Sequence, residues 1–126
     1  MKISCLIAII AALSFGFSSC YDAPCSLAIA PISLQRGKSY SVQYTAGDEF
    51  GTSGTMDKIT YTAANGRLQT ITGVGLPWNL SVTVSGDSAN EIQLTADGNT
   101  YRANLQISAA VRDSTNVRTA SDNCAH

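Results

Sequence analysis

Apolar and polar residues alternate with period two in five stretches of this chain. Val42 and Tyr44 share one face in SYSVQYT, Ile59 and Tyr61 in DKITYTA, and Leu80, Val82 and Val84 in WNLSVTV. Ile92, Leu94 and Ala96 repeat the pattern, and the longest run is Tyr101, Ala103, Leu105, Ile107, Ala109 and Val111. Such alternation puts one row of side chains into a core and the next into water, the signature of half-buried strands. No stretch beyond residue 19 shows a helical period, and no internal repeat is seen.

Turn residues punctuate these runs. Asn65-Gly66 and Asp97-Gly98 tolerate the positive φ values of tight hairpins, so each predicts one. Ser85-Gly86-Asp87 predicts a third turn, and GDEFGTSG (47–54) a longer loop. About seven short antiparallel strands with regular turns predict an all-β sandwich, because one sheet alone would leave its apolar face wet.

The amino terminus differs from everything after it. Met1-Lys2 precedes an uncharged apolar run of fifteen residues, Ile3 to Phe17. A helix needs roughly 20 apolar residues to span a bilayer, so the run reads as the h-region of a cleaved signal peptide rather than a permanent anchor. Phe17-Ser18-Ser19-Cys20 follows directly. These residues resemble the lipobox of bacterial lipoproteins, with Phe17 where that family prefers Leu, in the looser Ser-Cys form used by some Gram-negative groups. The resemblance implies a diacylglycerol on Cys20, cleavage just before it and anchoring to a membrane of the cell envelope. Ordinary signal peptidase, cutting after Ser18, would instead release the protein. The expected organisation is a leader over 1–19, a lipidated tether with a candidate edge strand over 20–34, and the sandwich over 35–126.

Cys5 leaves with the leader, and Cys20 is consumed if lipidated. Outside the cytoplasmic membrane, the remaining Cys25 and Cys124 are candidates for a disulfide stapling the two ends of the domain. Two free thiols, or a Cys20–Cys124 bridge in an unlipidated protein, are the alternatives. Two isolated cysteines and the terminal His126 have no metal-ligand spacing, so no metal or other cofactor is expected.

The formal charge is −1, and removing Lys2 makes it about −2, with seven cations scattered singly from Arg36 to Arg118. Nucleic acid needs a basic stripe, and there is none. Catalysis has little to rest on either. The carboxylates fall at predicted turns and strand edges, His126 ends the chain, and there is no nucleophile elbow or phosphate loop. Asp48-Glu49 lacks the DxDxDG pattern of a calcium loop. No enzyme is expected.

ITYTAANGRLQTITGVGLPWNLSV (59–82) is the most distinctive segment: a Tyr strand, a tight turn, a Gln-bearing strand and then Leu76-Pro77-Trp78. From about Tyr40 to Cys124 the chain resembles the extracytoplasmic domain of the mycobacterial membrane protein small family. The resemblance implies an Ig-like β-sandwich, a terminal cysteine after the last strands with Cys25 as its counterpart, and partners among transporters of the resistance-nodulation-division type. That family is held by a transmembrane helix, whereas this chain carries FSSC.

The expected role is thus binding or scaffolding an envelope protein. A small-molecule or glycan binder using Tyr40, Phe50 and Trp78 is the alternative, although a Trp opening a strand in phase with its successors also suits core packing. A third reading is a periplasmic lysozyme-type inhibitor, because Asp97-Gly98-Asn99-Thr100-Tyr101 echoes the Ser-Gly-x-x-Tyr loop of such proteins. The sequence specifies no oligomeric state.

Overall fold

A computed structural model of the chain describes residues 24–48, 54–100 and 103–125. The alternating runs form extended structure, the last of them from Leu105 onward. Strands β1 (Pro24–Ala28), β2 (Ile32–Ser33), β3 (Ser39–Asp48), β4 (Thr55–Thr62) and β5 (Leu68–Gly75) make up the first half. Strands β6 (Trp78–Ser85), β7 (Glu91–Ile92), β8 (Leu94–Asn99), β9 (Leu105–Arg112) and β10 (Val117–Cys124) complete it.

Two four-stranded antiparallel sheets result, ordered β1-β8-β4-β5 and β10-β9-β3-β6, with a small β2-β7 pair beside them. The all-β sandwich is therefore observed, with ten strands among the described residues where about seven were expected. The surplus lies at the periphery. β2 and β7 are two-residue pieces, and β10 (VRTASDNC) is too polar for its alternation to register as an apolar row.

The inward rows of both sheets meet in one core. Val42, Tyr44, Ile107 and Val111 from one sheet, and Leu27, Ile59 and Leu94 from the other, are almost completely buried. Each such side chain contributes about 1.5–3 kcal/mol by leaving water, so these rows fix the register of every strand that carries them. The outward rows are hydroxyl-rich. Ser26 donates to Asp97 at 2.8 Å, Thr60 and Thr70 hydrogen bond at 2.8 Å, and Thr45 hydrogen bonds with Ser108.

Two of the three predicted turns hold. Ser88 and Ala89 amides donate to the Ser85 carbonyl, closing the turn after β6. The β4–β5 hairpin also forms, but not as a two-residue type I′ turn. Only Gly66 has positive φ (83°), the Gly66 amide donates to the Ala63 carbonyl, and the Asn65 side chain accepts from the Arg67 amide at 3.0 Å. Asn65 keeps its ordinary backbone because its side chain does the turn's hydrogen bonding.

The third turn is replaced by strand. β8 runs straight through Asp97-Gly98, which pair with Ser26 and Cys25 of β1. Gly98 serves close approach instead, since a Cβ there would stand 2.6 Å from Leu105 Cδ1. The same β1–β8 pairing makes β1 an edge strand, and it overturns the inhibitor-loop echo: Asp97–Asn99 are laddered backbone, not a protruding loop.

β4 breaks its own alternation near its start. Met56 and Ile59 are both fully buried, whereas Asp57 and Lys58 between them face water. Opposite this slip sits Gly73 with φ 59°, between the β5 partners of Met56 and Lys58.

Candidate functional site

Strand pairing places the chain's landmarks at two ends of the sandwich. Cys25 begins β1, Cys124 ends β10, and Cys124 lies opposite Leu105, which in turn lies opposite Asp48. Trp78, opposite Ala46, belongs to this same end. The far end holds the start of β3, the end of β6 and the β9–β10 turn.

Cys25 and Cys124 lie as a disulfide pair, their Cα atoms 6.1 Å apart and 99 residues apart in sequence. A second tie runs beside them. The half-buried Asp122 carboxylate of β10 accepts from the Ala28 amide of β1 at 2.9 Å and from the Asn123 amide at 2.9 Å. β1 and β10 are the edge strands of opposite sheets, so one covalent bond and one charge-assisted hydrogen bond close this side of the sandwich.

Tyr40 is buried, 2% exposed, and floors a cleft of about 210 Å³ at the far end. Its hydroxyl accepts from the Gln35 amide at 3.0 Å, and the Arg118 guanidinium of β10 lies 6.0 Å above the ring centre. Lys38 reaches Asp113 at 3.8 Å across the same cleft. Asp113 itself is held by the Thr115 amide (2.8 Å), the Thr115 hydroxyl (3.0 Å) and the Asn116 amide (2.8 Å). Those bonds, the Thr115 amide foremost, hold its carboxyl below the usual range. The cleft thus presents one cation stacked on an aromatic ring and a second shared with a carboxylate.

Trp78 is half-buried, its ring 6.5 Å from Tyr44 and 5.9 Å from Tyr61. Tyr44 and Tyr61 are buried and 5.4 Å apart, and the Tyr44 hydroxyl donates to the Thr62 carbonyl at 2.6 Å. Burial pushes the Tyr44 phenol up to about 12. The three rings bridge the sheets, so Trp78 and Tyr40 do not share one exposed aromatic patch. Cys20, Phe50, Tyr101 and His126 lie outside the described residues. Among the described residues, no group of three or more His, Cys, Asp or Glu could hold a metal.

Sequence reasoning had not joined Arg118 and Lys38 to Tyr40, nor given Asp122 a role. Arg118 and Asp122 lie on a strand with no pattern that sets them apart, Lys38 lies in the connection before β3, and only the register of β10 on β9 puts Arg118 over the ring.

With the fold in place, the comparison with known families is decisive: the profile described as Mycobacterium membrane protein matches residues 6–125. The chain belongs to that family. The Mycobacterium membrane protein match takes in the whole sandwich, both disulfide cysteines and all but five residues of the leader and tether. Among the described residues, no helix is long and apolar enough to cross a membrane. No curated protein matches the chain. A crystal structure from Francisella tularensis str. tularensis SCHU S4 is similar at 16% identity with a TM-score of 0.38, covering 75% of this chain and 67% of that one.

Proposed function

We propose that this protein is a non-catalytic domain held at a cell-envelope membrane by lipid on Cys20, where it binds or scaffolds another envelope protein. The observation that carries the reading is the coincidence of a membrane-protein family match over residues 6–125 with an apolar run that ends at FSSC. Two acyl chains on one glyceryl group satisfy the requirement that stable anchoring takes more than one chain. The family resemblance suggests a transporter of the resistance-nodulation-division type as partner.

Two measurements test this. Metabolic labelling with an alkynyl fatty acid should mark the wild-type chain and not Cys20→Ser, which should leave the membrane fraction; equal labelling or equal retention removes the anchor. Affinity capture from crosslinked envelopes should recover a specific membrane protein, and only random background removes the scaffold role.

The cleft over Tyr40 supports a second reading, a binder of small anionic molecules or acidic glycans through Arg118 and Lys38. Titration with a uronic acid, followed by NMR, should shift Gln35, Thr115 and Asn116 amides in wild type and not in Arg118→Ala. Unmoved amides in wild type remove this reading.

A further inference from the structure

The cations that the sequence scatters singly are gathered by the fold at one end. Arg36, Lys38, Arg67, Arg112 and Arg118, five of the six cations among the described residues, all lie at the far end. Contacts between turns make that end one continuous surface. Gly66 of the β4–β5 hairpin lies against Ser88, Gly86 lies against Gln35, and the Gly37 amide donates to Asp87 at 3.1 Å. Lys38 then reaches the β9–β10 turn through Asp113. Elsewhere the described residues hold Lys58 and four carboxylates, Asp48, Asp57, Asp97 and Asp122. The domain is therefore polarised, with its cations at the end away from Cys25.

The carboxylates at the far end are already engaged. Asp87 accepts from the Gly37 amide, Glu91 from the Gln93 side chain at 3.0 Å, and Asp113 from its own turn beside Lys38. Among the described residues, none of the four arginines has a carboxylate within 4.0 Å. Arg36, Arg67 and Arg112 are exposed, and Arg118 is half-buried over the Tyr40 ring. Tyr40 adds a second donor. Its oxygen accepts the Gln35 amide, so its own proton is left for an acceptor, on a residue 2% exposed at the floor of the cleft. Donors of this kind converge on an anionic oxygen, and an arginine fork matches a planar carboxylate.

The cleft encloses only part of a ligand of ordinary size: about 210 Å³, against about 300–1,000 Å³ for pockets that hold a whole one. We infer that the far end binds an acidic polysaccharide carrying one negative charge per sugar. One uronate-like residue enters the cleft with its carboxylate on Arg118 and the Tyr40 hydroxyl, and the chain runs on across the surface that carries Arg36, Arg67 and Arg112. Ser33, Thr115 and Asn116 line the cleft with hydroxyl and amide groups suited to sugar hydroxyls. This deepens the anion-binding reading of the cleft, on which it rests, by extending the ligand to a polymer and the site to three more arginines.

Other polyanions fit this end less well. A protein interface is built round an apolar centre, whereas this cleft presents polar groups around a ring that Arg118 already covers. Single-stranded nucleic acid stacks its bases on exposed aromatic rings, and Tyr40 is buried. One charge per sugar also matches the one unpaired cation in the cleft, since Lys38 stays with Asp113. A phosphate monoester would bring a second negative charge toward that carboxylate.

Calorimetric titration of the full chain in detergent micelles, with galacturonate and with its linear oligomer, tests this. At equal sugar concentration the oligomer should bind about tenfold more tightly than the monomer, equivalent to about 1.4 kcal/mol. Arg36→Gln, Arg67→Gln and Arg112→Gln combined should abolish that gain and leave the monomer's affinity unchanged. All three side chains are exposed, and an unshifted thermal midpoint checks that the fold is kept. Arg118→Gln should remove binding of both sugars; Arg118→Lys, which keeps the charge and loses the fork, serves if that variant does not fold. A gain that is absent, or that survives the triple substitution, overturns the polymer site, while monomer binding alone still upholds the cleft. Binding of neither sugar removes both. Polyglutamate bound with the same gain through the same arginines overturns the polysaccharide in favour of an acidic protein.

Discussion

The hydroxyl of Tyr44 in β3 donates to the carbonyl of Thr62 in β4 at 2.6 Å, tying the two sheets together through the centre of the core. Tyr44→Phe keeps the ring against Tyr61 and Trp78 but leaves the buried carbonyl without this donor. A loss of about 1–3 kcal/mol is expected in urea unfolding. A change under about 0.5 kcal/mol would mean that the bond contributes nothing net.

The same residue sets an alkaline limit. Because the folded-state pKa is raised, its stabilising contribution is complete below the ordinary tyrosine pKa near 10 and disappears as pH rises through about 12. Urea midpoints measured from pH 9 to pH 12 should fall more steeply for wild type than for Tyr44→Phe. Parallel curves would contradict the assignment.

Reduction of Cys25–Cys124 should lower stability by up to about 4.7 kcal/mol, the chain-entropy value for a loop of about 100 residues, with 99 positions separating the two cysteines here. Denaturation with and without reductant measures it. Intact mass should rise by about two daltons on reduction, two hydrogens for one bridge. No rise would exclude the bridge.

Gly66→Ala combines two costs. Its φ of 83° costs a side chain about 1–2 kcal/mol, and a Cβ there would lie 2.0 Å from the Ser88 carbonyl oxygen. Asn65→Ala, one position earlier, loses only the hydrogen bond to the Arg67 amide, about 1 kcal/mol. Gly66→Ala should be the more damaging by thermal melting; the reverse order would refute the turn geometry.

Asp113 should titrate below an ordinary aspartate, because the Thr115 amide, the Thr115 hydroxyl, the Asn116 amide and Lys38 all favour its charged form. The sign follows from a depressed folded-state value: the contribution is present above the ordinary carboxylate range and lost as pH falls through the lower one. Carboxyl-carbon NMR should show this depression shrinking in Thr115→Ala. An unchanged midpoint would remove the Thr115 hydroxyl as a contributor, leaving the Thr115 and Asn116 amides.

Legibility in the sequence tracked burial. Val42, Ile59, Leu94 and Ile107 announce their strands because each sits in an apolar row whose partners all face one core. β10 stays hidden because an edge strand needs few apolar residues, and Ala120 is the single aliphatic one between Val117 and Cys124. Asp97-Gly98 misleads because a glycine chosen for closeness to Leu105 looks like one chosen for a turn. The Tyr40 cleft is legible only in part: Tyr40 stands out by type, whereas Arg118 becomes its neighbour through strand pairing that no local pattern encodes, and Lys38 turns toward Asp113 from the connection before β3.

The bond between Cys25 and Cys124 also changes the topology of the polypeptide. Every strand from β2 to β9 lies within a covalent ring of one hundred residues, counting both cysteines. A protease that cuts one loop opens the ring but sheds no fragment, so a nicked molecule keeps every strand joined to the residue that enters the domain from Cys20. Only a second cut, or a reductant, sets a piece free.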